Sequence, residues 1–364
     1  MSAAPGPIPD LAADPAQAGV ARVMVCDDSA VIRSAIARIL ERDPAIRVVA
    51  RVADGAQAVA TARRIDVDVV VLDIEMPVMD GLAALPLLLA QDPGLRVIMA
   101  STLTTRGADI ALRALRLGAA DYVPKPAADA LERAGFAEEL IAKVKGLARL
   151  RRPAAAARAT PPPAHCLAAP PARRPTLLAI GSSTGGPQAL FTLVQALGTA
   201  IDVPVVLTQH MPATFTPLLA AHLTRLGAMP CEEAQDGAVL RPGRIALAPG
   251  NRHLLVRQDR GTLRAVLSDD PPENFCRPSV DPMLRSACAA CNGHVLVVML
   301  TGMGQDGLLG TEQIVRAGGS ALAQDAATSV VWGMPGAIAR AGLAHAILPL
   351  SQIAPRILQM LSSR

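Results

Sequence analysis

Three short polar segments in the carboxyl-terminal half of the chain contain the residue types that nucleophilic catalysis needs. They span residues 181–186 (GSSTGG), 209–212 (QHMP) and 301–307 (TGMGQDG), and each follows an apolar run typical of a β-strand. Together they supply a serine hydroxyl, a histidine imidazole and an aspartate carboxylate. A serine needs a base to take its proton, and the base needs an anion to orient it. Because open parallel sheets build their sites at the carboxyl ends of the strands, we expect the three groups to meet on one edge.

The first segment fits the pattern G-x-S-x-G, which turns its central serine outward between a strand and a helix. We therefore expect Ser183, rather than Ser182, to be the nucleophile. His210 is the expected base, with His253 as the second candidate, and Asp306 is the expected orienting acid. Backbone amides at the start of the same helix are suited to holding a developing oxyanion. A phosphate-binding turn is the weaker alternative, because the glycine spacing matches neither nucleotide-binding pattern and no lysine follows.

A basic, proline-rich segment divides the chain into two domains. Residues 147–176 contain six arginines, several prolines and no acidic residue. Such a composition predicts a semi-extended linker, which we place at 148–175, between domains at 20–147 and 176–364. The whole chain has a net charge of +4, so the folded parts are slightly acidic, and only 2% of the residues are aromatic. We therefore expect no binding of nucleic acid.

The bulk composition favours a soluble protein of the cytoplasm. Although 51% of the 364 residues are hydrophobic, they are spread through periodic segments, and no uninterrupted apolar run has the length of a membrane span. We expect no membrane insertion, and the amino terminus lacks the basic start and apolar stretch of a signal peptide. The six cysteines are scattered, which indicates reduced thiols, and the Cys288–Cys291 pair lacks the second pair of a zinc site.

Five apolar runs alternate with helical patterns in the amino-terminal half, at residues 23–26, 48–52, 67–72, 97–100 and 121–123. This repeat predicts a doubly wound, five-stranded parallel sheet with helices on both faces. Polar residues follow its strands: Asp27, Asp28, Asp73, Ser101 and Lys125. Crowded carboxylates are costly unless a cation binds them. A Mg²⁺ ion held by Asp28 and Asp73 would make a phosphoryl-transfer site, with Asp73 as the acceptor and Lys125 pairing with the transferred group.

These segments closely resemble a known family. Residues 25–29 (VCDDS), 72–81 (LDIEMPVMDG) and Lys125-Pro126 are similar to the response-regulator receiver domain of two-component signalling. The resemblance implies that Asp73 is the phosphorylation site and that Asp27, Asp28 and the backbone carbonyl of Glu75 surround Mg²⁺ with it. It also implies that Ser101 and Lys125 are switch residues.

The carboxyl-terminal domain resembles the catalytic domain of chemotaxis-receptor protein-glutamate methylesterases. The likeness rests on the three polar segments, on residues 277–281 (RPSVD) and 331–335 (VWGMP), and on the order receiver, linker, esterase. It implies a three-layer α/β domain with a mainly parallel sheet, in which Ser183, His210 and Asp306 hydrolyse receptor glutamate methyl esters and release methanol. Deamidation of receptor glutamines, no cofactor in this domain, and a chemotaxis histidine kinase as phosphoryl donor are implied as well.

The same resemblance implies that the unmodified receiver covers the active-site mouth and that phosphorylation of Asp73 releases it. Two other readings stay open. The chain could be a signalling adaptor with a non-catalytic second domain, or an esterase of small molecules under phosphorylation control.

Overall fold

The structure, a computed structural model, describes residues 20–101, 104–125, 134–151, 173–227 and 229–362. The amino-terminal half contains a five-stranded parallel sheet with the strand order β2-β1-β3-β4-β5. Its strands are β1 (Ala21–Cys26), β2 (Ile46–Val52), β3 (Val69–Asp73), β4 (Arg96–Ser101) and β5 (Asp121–Pro124). The helices are α1 (Ala30–Leu40), α2 (Gly55–Ala62), α3 (Gly81–Gln91), α4 (Thr105–Arg116) and α5 (Ala134–Arg151). All five predicted strands are present, within two residues of the expected bounds.

The central strand of this sheet shows why the pattern is doubly wound. Every residue of β3 is buried, as expected for a parallel strand that is covered on both faces. The strand ends at Asp73, so the carboxylate lies where the apolar run stops. Helices α1, α2 and α3 are preceded by the N-cap residues Ser29, Asp54 and Asp80, whose side chains accept a backbone N–H of the first turn.

A seven-stranded sheet with the order β14-β13-β12-β6-β7-β9-β8 forms the centre of the carboxyl-terminal half, and all its strand pairs are parallel. Its strands are β6 (Leu177–Ser182), β7 (Val205–Gln209), β8 (Cys231–Glu233), β9 (Ile245–Leu247), β12 (Val295–Met299), β13 (Ser320–Gln324) and β14 (Ala346–Leu348). Strands β10 (His253–Asp259) and β11 (Thr262–Ser268) form a separate antiparallel hairpin. The helices are α6 (Gly186–Leu197), α7 (Thr216–Leu226), α8 (Val280–Ala290), α9 (Leu308–Arg316), α10 (Met334–Arg340) and α11 (Leu350–Ser362).

Side chains of β6 alternate between the two faces of this sheet, as the period of a strand requires. Leu178 and Ile180 pack in one apolar cluster with α6, α7 and α11. Leu177 and Ala179 pack in the other, with α8, α9 and α10. The half is therefore a three-layer α/β unit with a mainly parallel sheet, which confirms the expected fold class.

The junction between the two halves is only partly described. Helix α5 ends at Arg151 and strand β6 begins at Leu177, whereas residues 152–172 lie outside the described part of the chain. The predicted domain bounds and the linker at 148–175 therefore stay predictions. None of the described helices combines the length and apolar character that crossing a membrane requires. The five cysteines within the described residues have free thiols.

Candidate active site

The turn between β6 and α6 exposes one of its two serines and buries the other. Ser182 is fully buried, and its hydroxyl donates to Gln209 Oε1 at 2.7 Å. Ser183 is half-buried, and its backbone N–H donates to the Thr301 carbonyl at 3.0 Å. Gly185 adopts a left-handed conformation with φ of +73°, which lets the chain enter α6 directly after the serines. Ser183 is thus the hydroxyl at this turn that a substrate can reach.

His210 lies next to this turn because β7 pairs with β6. In the parallel register Ser182 faces Gln209, and the His210 backbone N–H donates to the Ser182 carbonyl at 3.1 Å. The Gln209 side chain donates to the Ser183 carbonyl at 3.0 Å. The residue after each strand therefore lies on the same sheet edge. Among the described residues, however, the Ser183 hydroxyl makes no hydrogen bond with the imidazole, so the structure does not complete the serine–histidine contact.

Asp306 reaches the same edge from the loop after β12 and contacts His210 directly. Its Oδ2 atom lies 2.7 Å from His210 Nε2. The carboxylate also accepts the backbone N–H groups of Val280 and Asp281, at 2.6 and 3.1 Å, and the Ser279 hydroxyl at 2.7 Å. Ser279 precedes α8 as its N-cap residue, but its hydroxyl does not cap the helix. Asp306 takes that place, and the positive end of α8 stabilises its charge.

The two partners form an ion pair. Burial raises the pKa of Asp306, but His210, the Val280 N–H and the Ser279 hydroxyl outweigh it, and the pKa is lowered to about 2. Burial lowers the pKa of His210, but Asp306 and Cys276 outweigh it, and the pKa is raised to about 10. In this arrangement the imidazole is a cation at neutral pH, oriented by an ionised aspartate.

His253, the second candidate for the base, has a structural position. It is 2% exposed, and its Nδ1 atom accepts the Ser279 backbone N–H at 3.1 Å. Its Nε2 atom lies 3.1 Å from the Pro271 carbonyl. Since both ring nitrogens are engaged inside the fold, His253 supports the loop beside Asp306 rather than facing a substrate.

The predicted carboxylates of the amino-terminal half meet at the end of their sheet. Ligand oxygens of Asp27, Asp28 and Asp73 lie within 4.8 Å of one another. The Lys125 Nζ atom lies 2.6 Å from Asp27 Oδ2 and 2.6 Å from Asp73 Oδ2. The pKa of Asp73 is raised, chiefly by burial and also by the nearby Asp27, although Lys125 lowers it. Three clustered carboxylates are the oxygen ligands that Mg²⁺ prefers, so these residues fit the ion.

The other receiver residues lie around this cluster. Ser101 ends β4 and is buried, and its carbonyl accepts the Lys125 backbone N–H at 2.6 Å. Glu75 is exposed two residues after Asp73, and together with Asp28 it lines an open cavity of about 480 Å³. The cavity therefore opens the edge of the carboxylate cluster at Asp28 to solvent.

Comparison with known proteins addresses both halves. Residues 178–357 match the family model described as CheB methylesterase, and residues 23–134 match the response regulator receiver domain. A protein-glutamate methylesterase/protein-glutamine glutaminase of Azospirillum brasilense is 52% identical over 365 residues, which cover 92% of this chain and 91% of the relative. The chain belongs to the CheB methylesterase family. A relative with the same description from Paramagnetospirillum magneticum is 50% identical over 94% of this chain and 97% of its own. The resemblance expected from the sequence is therefore confirmed.

A solved structure supports the fold of the CheB-type half. The crystal structure of the Thermotoga maritima CheB methylesterase catalytic domain is 34% identical, with a TM-score of 0.50. It covers 52% of this chain and 100% of its own.

The receiver packs directly against the serine turn of the CheB-type half. Asp121 Oδ2 accepts the backbone N–H of Gly185 at 3.1 Å, so a receiver carboxylate occupies one amide of that turn. The Gln188 side chain on α6 donates to the carbonyls of Leu115 and Ala119 in the receiver, at 2.7 and 2.6 Å. The rings of Tyr122 and Phe215 stack with their centroids 4.7 Å apart. An amide expected to help an oxyanion is thus engaged by the receiver.

The sequence analysis did not identify the loop that contains Asn274 and Cys276, which contacts both Asp306 and His210. Asn274 donates to Asp306 Oδ1 at 2.9 Å, and the Cys276 Sγ atom lies 3.3 Å from His210 Nδ1. Both residues lie within the three positions before the segment 277–281, which the family resemblance had already marked. That proximity was the one available signal, because an asparagine and a cysteine in an irregular loop follow no periodic pattern.

Proposed function

We propose that this chain is a protein-glutamate methylesterase and protein-glutamine glutaminase that acts on chemotaxis receptors in the cytoplasm and is activated by phosphorylation. The names of its relatives supply the reaction. One observation carries the residue assignment: the His210–Asp306 pair lies on the sheet edge that also presents the half-buried Ser183. Ser183 is the proposed nucleophile, His210 the general base and then acid, and Asp306 the orienting anion.

The chemistry follows from which ring nitrogen Asp306 engages and which it leaves for the serine. Asp306 engages Nε2, so Nδ1 is the atom that takes the proton of Ser183. The serine oxygen attacks the ester carbonyl, and the imidazolium returns the proton to the leaving methoxide, so that methanol departs. Water then attacks the acyl-serine with the same base and releases the receptor glutamate. A glutamine side chain follows the same steps, with ammonia as the leaving group.

Reaching this geometry requires two changes from the arrangement described above. His210 must lose its extra proton before it can act as a base, and the Ser183 hydroxyl must turn to Nδ1. The docked receiver opposes catalysis in addition, because Asp121 occupies the Gly185 amide. The structure therefore has the character of a resting form, which agrees with the implied block of the site by the unmodified receiver.

Phosphorylation of Asp73 by a chemotaxis histidine kinase is the proposed release signal. Asp27, Asp28 and Asp73, with the Glu75 carbonyl implied by family resemblance, would hold Mg²⁺, which neutralises charge on the transferring phosphoryl group. Lys125 already contacts Asp73 and would pair with the added group, while Ser101 lies beside it on β4. An added charge near −2 gives these residues a new partner.

Methanol release from methylated chemoreceptor membranes, with and without acetyl phosphate, tests the proposal. We expect release that increases with acetyl phosphate and disappears in Ser183→Ala. An adaptor would show no release from any variant, and an esterase of small molecules would hydrolyse simple esters well but leave the receptors methylated. Either result would contradict the proposed function.

A further inference from the structure

The His210 imidazole has a second close partner besides Asp306. The sulfur of Cys276 lies 3.3 Å from Nδ1, within the range of a hydrogen bond to sulfur. Asp306 occupies the other nitrogen, at 2.7 Å. Both edges of the ring are therefore engaged by neighbouring side chains. Nδ1 is also the atom to which Ser183 must deliver its proton, so Cys276 and Ser183 need the same nitrogen.

The loop that carries Cys276 is held firmly in place. Glu273 and Arg285 form a bidentate ion pair at 2.5 and 2.6 Å, and Glu273 and Cys276 are joined by reciprocal backbone hydrogen bonds of 3.1 and 2.9 Å. Between them, Asn274 and Phe275 have positive φ values of 53° and 62°, a conformation that is costly for residues other than glycine. The Asn274 side chain is tied to Asp306 and to Asp281. These contacts fix the sulfur beside the imidazole rather than leaving it there by chance.

We propose that Cys276 is a positioning residue for the catalytic base, which holds the His210 imidazole as a cation and competes with Ser183 for its Nδ1 atom. The sulfur accepts the Nδ1–H of the imidazolium while Asp306 accepts the Nε2–H. Catalysis then begins when Nδ1 loses its proton to solvent and the ring turns this nitrogen from the sulfur to the Ser183 hydroxyl. The inference rests on the proposed function, since it takes His210 as the base.

The electrostatics of the site agree with this assignment. The pKa of His210 is raised to about 10, against the effect of burial, by Asp306 and then by Cys276. In the part of the chain that the structure describes, Asp306 and Cys276 contact the imidazole directly, Asp281 and Arg285 lie near the Asp306 carboxylate, and Glu273 pairs with Arg285. Because Cys276 stabilises the protonated ring, its removal lowers the pKa of His210, and the neutral base forms at lower pH.

The test compares the full-length wild type with Cys276→Ala and Cys276→Ser after treatment with acetyl phosphate. Methanol release from methylated receptor membranes is measured as kcat/KM across about pH 6 to 10. The acid limb of this profile, where activity rises with pH, gives the pKa of the catalytic base in the free enzyme. We expect the acid limb to move to lower pH in Cys276→Ala and to move less in Cys276→Ser, whose hydroxyl can still accept the Nδ1–H. At a fixed pH on that limb, activity rises about tenfold for each pH unit of movement. In Cys276→Ala, a limb that stays in place or moves to higher pH overturns the proposal, even if the overall rate falls.

A measurement without substrate separates this inference from the proposed function. In ¹⁵N-histidine spectra of the full chain recorded across a pH titration, we expect His210 Nδ1 to lose its proton at lower pH in Cys276→Ala than in the wild type. His210→Gln identifies the signal. Cys288→Ala is the matched control, since Cys288 is also half-buried but makes no hydrogen bond to His210 among the described residues. If the wild type releases no methanol, the proposed function fails, whereas an unchanged titration midpoint of His210 in Cys276→Ala refutes the role of the cysteine.

Discussion

Gln188→Ala separates the two halves of the molecule with little disturbance to either. Gln188 lies in the first turn of α6, and its amide group donates to the Leu115 and Ala119 carbonyls of the receiver. Both carbonyls belong to residues that are at most 2% exposed, Leu115 in the last turn of α4 and Ala119 just after it. The substitution removes both hydrogen bonds and leaves two buried carbonyl groups without these donors. Docking of the receiver should weaken, while Ser183, His210 and Asp306 keep their own contacts.

The size of the effect follows from the two lost bonds. A neutral hydrogen bond contributes about 0.5–1.5 kcal/mol, so two contribute about 1–3 kcal/mol to docking. This difference changes the ratio of undocked to docked molecules about 5- to 150-fold. If activity without phosphorylation comes from the undocked fraction, it should increase by the same factor, up to the rate of the phosphorylated enzyme. The phosphorylated rate itself should not change.

Methanol release from methylated receptor membranes, without and with acetyl phosphate, measures both rates. Thr192→Ala is the matched control, because Thr192 is exposed on the next turn of α6 and its hydroxyl donates within the helix, to the Gln188 carbonyl at 3.2 Å. The reasoning is refuted if Gln188→Ala leaves the unphosphorylated rate at the wild-type level. It is equally refuted if both rates fall together, since that result would place Gln188 in the catalytic machinery instead of the interface.

Two further predictions concern the two serines before α6 and His222 on α7, which lies near Arg116 of the receiver. Ser183→Ala should abolish methanol release, whereas Ser182→Ala should retain it and lose about 1 kcal/mol of stability in chemical denaturation, from its buried hydrogen bond to Gln209. The pKa of His222 is lowered from 6.5 to about 4 by burial, Arg116 and Arg225. The folded state resists protonation of this ring, so stability is lost as pH falls from about 6.5 towards 4. Arg116→Gln should raise that pKa, and the loss of unfolding free energy between pH 7 and pH 5 should shrink; an unchanged loss contradicts the assignment.

Most of the fold could be predicted because long apolar runs and turn residues agree with each other. Strands such as β3 and β12 are buried on both faces and appear in the sequence as continuous runs of valine and leucine. Strands β8, β9 and β14 have three residues each, too few to appear in the sequence as a long apolar run. They lie at or near the edges of the seven-stranded sheet, where pairing with a neighbour rather than local preference decides their conformation.

The site could be predicted only where it coincides with strand ends. Ser183, His210 and Asp306 follow strands, so topology alone places them on one edge. Cys276 comes from an irregular loop between the β10–β11 hairpin and α8, and its partner His210 is 66 residues away in sequence. The contact of Asp121 with Gly185 crosses from one domain to the other. Such contacts depend on tertiary packing, which no local pattern encodes.

Strand β5 is the element through which phosphorylation can reach the interface. Its first residues, Asp121 and Tyr122, contact the serine turn and Phe215, and Lys125 follows its last residue and contacts Asp73. We therefore expect a shift of this strand that favours the Lys125–phosphoryl contact at one end to disturb docking at the other. Such coupling is reciprocal: if binding of the phosphoryl group weakens docking, weaker docking strengthens binding of the phosphoryl group. If Gln188→Ala loosens docking, the equilibrium affinity of the receiver for a phosphoryl analogue with Mg²⁺ should rise, up to the factor by which the undocked fraction rises. Titration calorimetry measures that affinity, and an unchanged value together with raised basal activity would show that the interface is released without any link to Asp73.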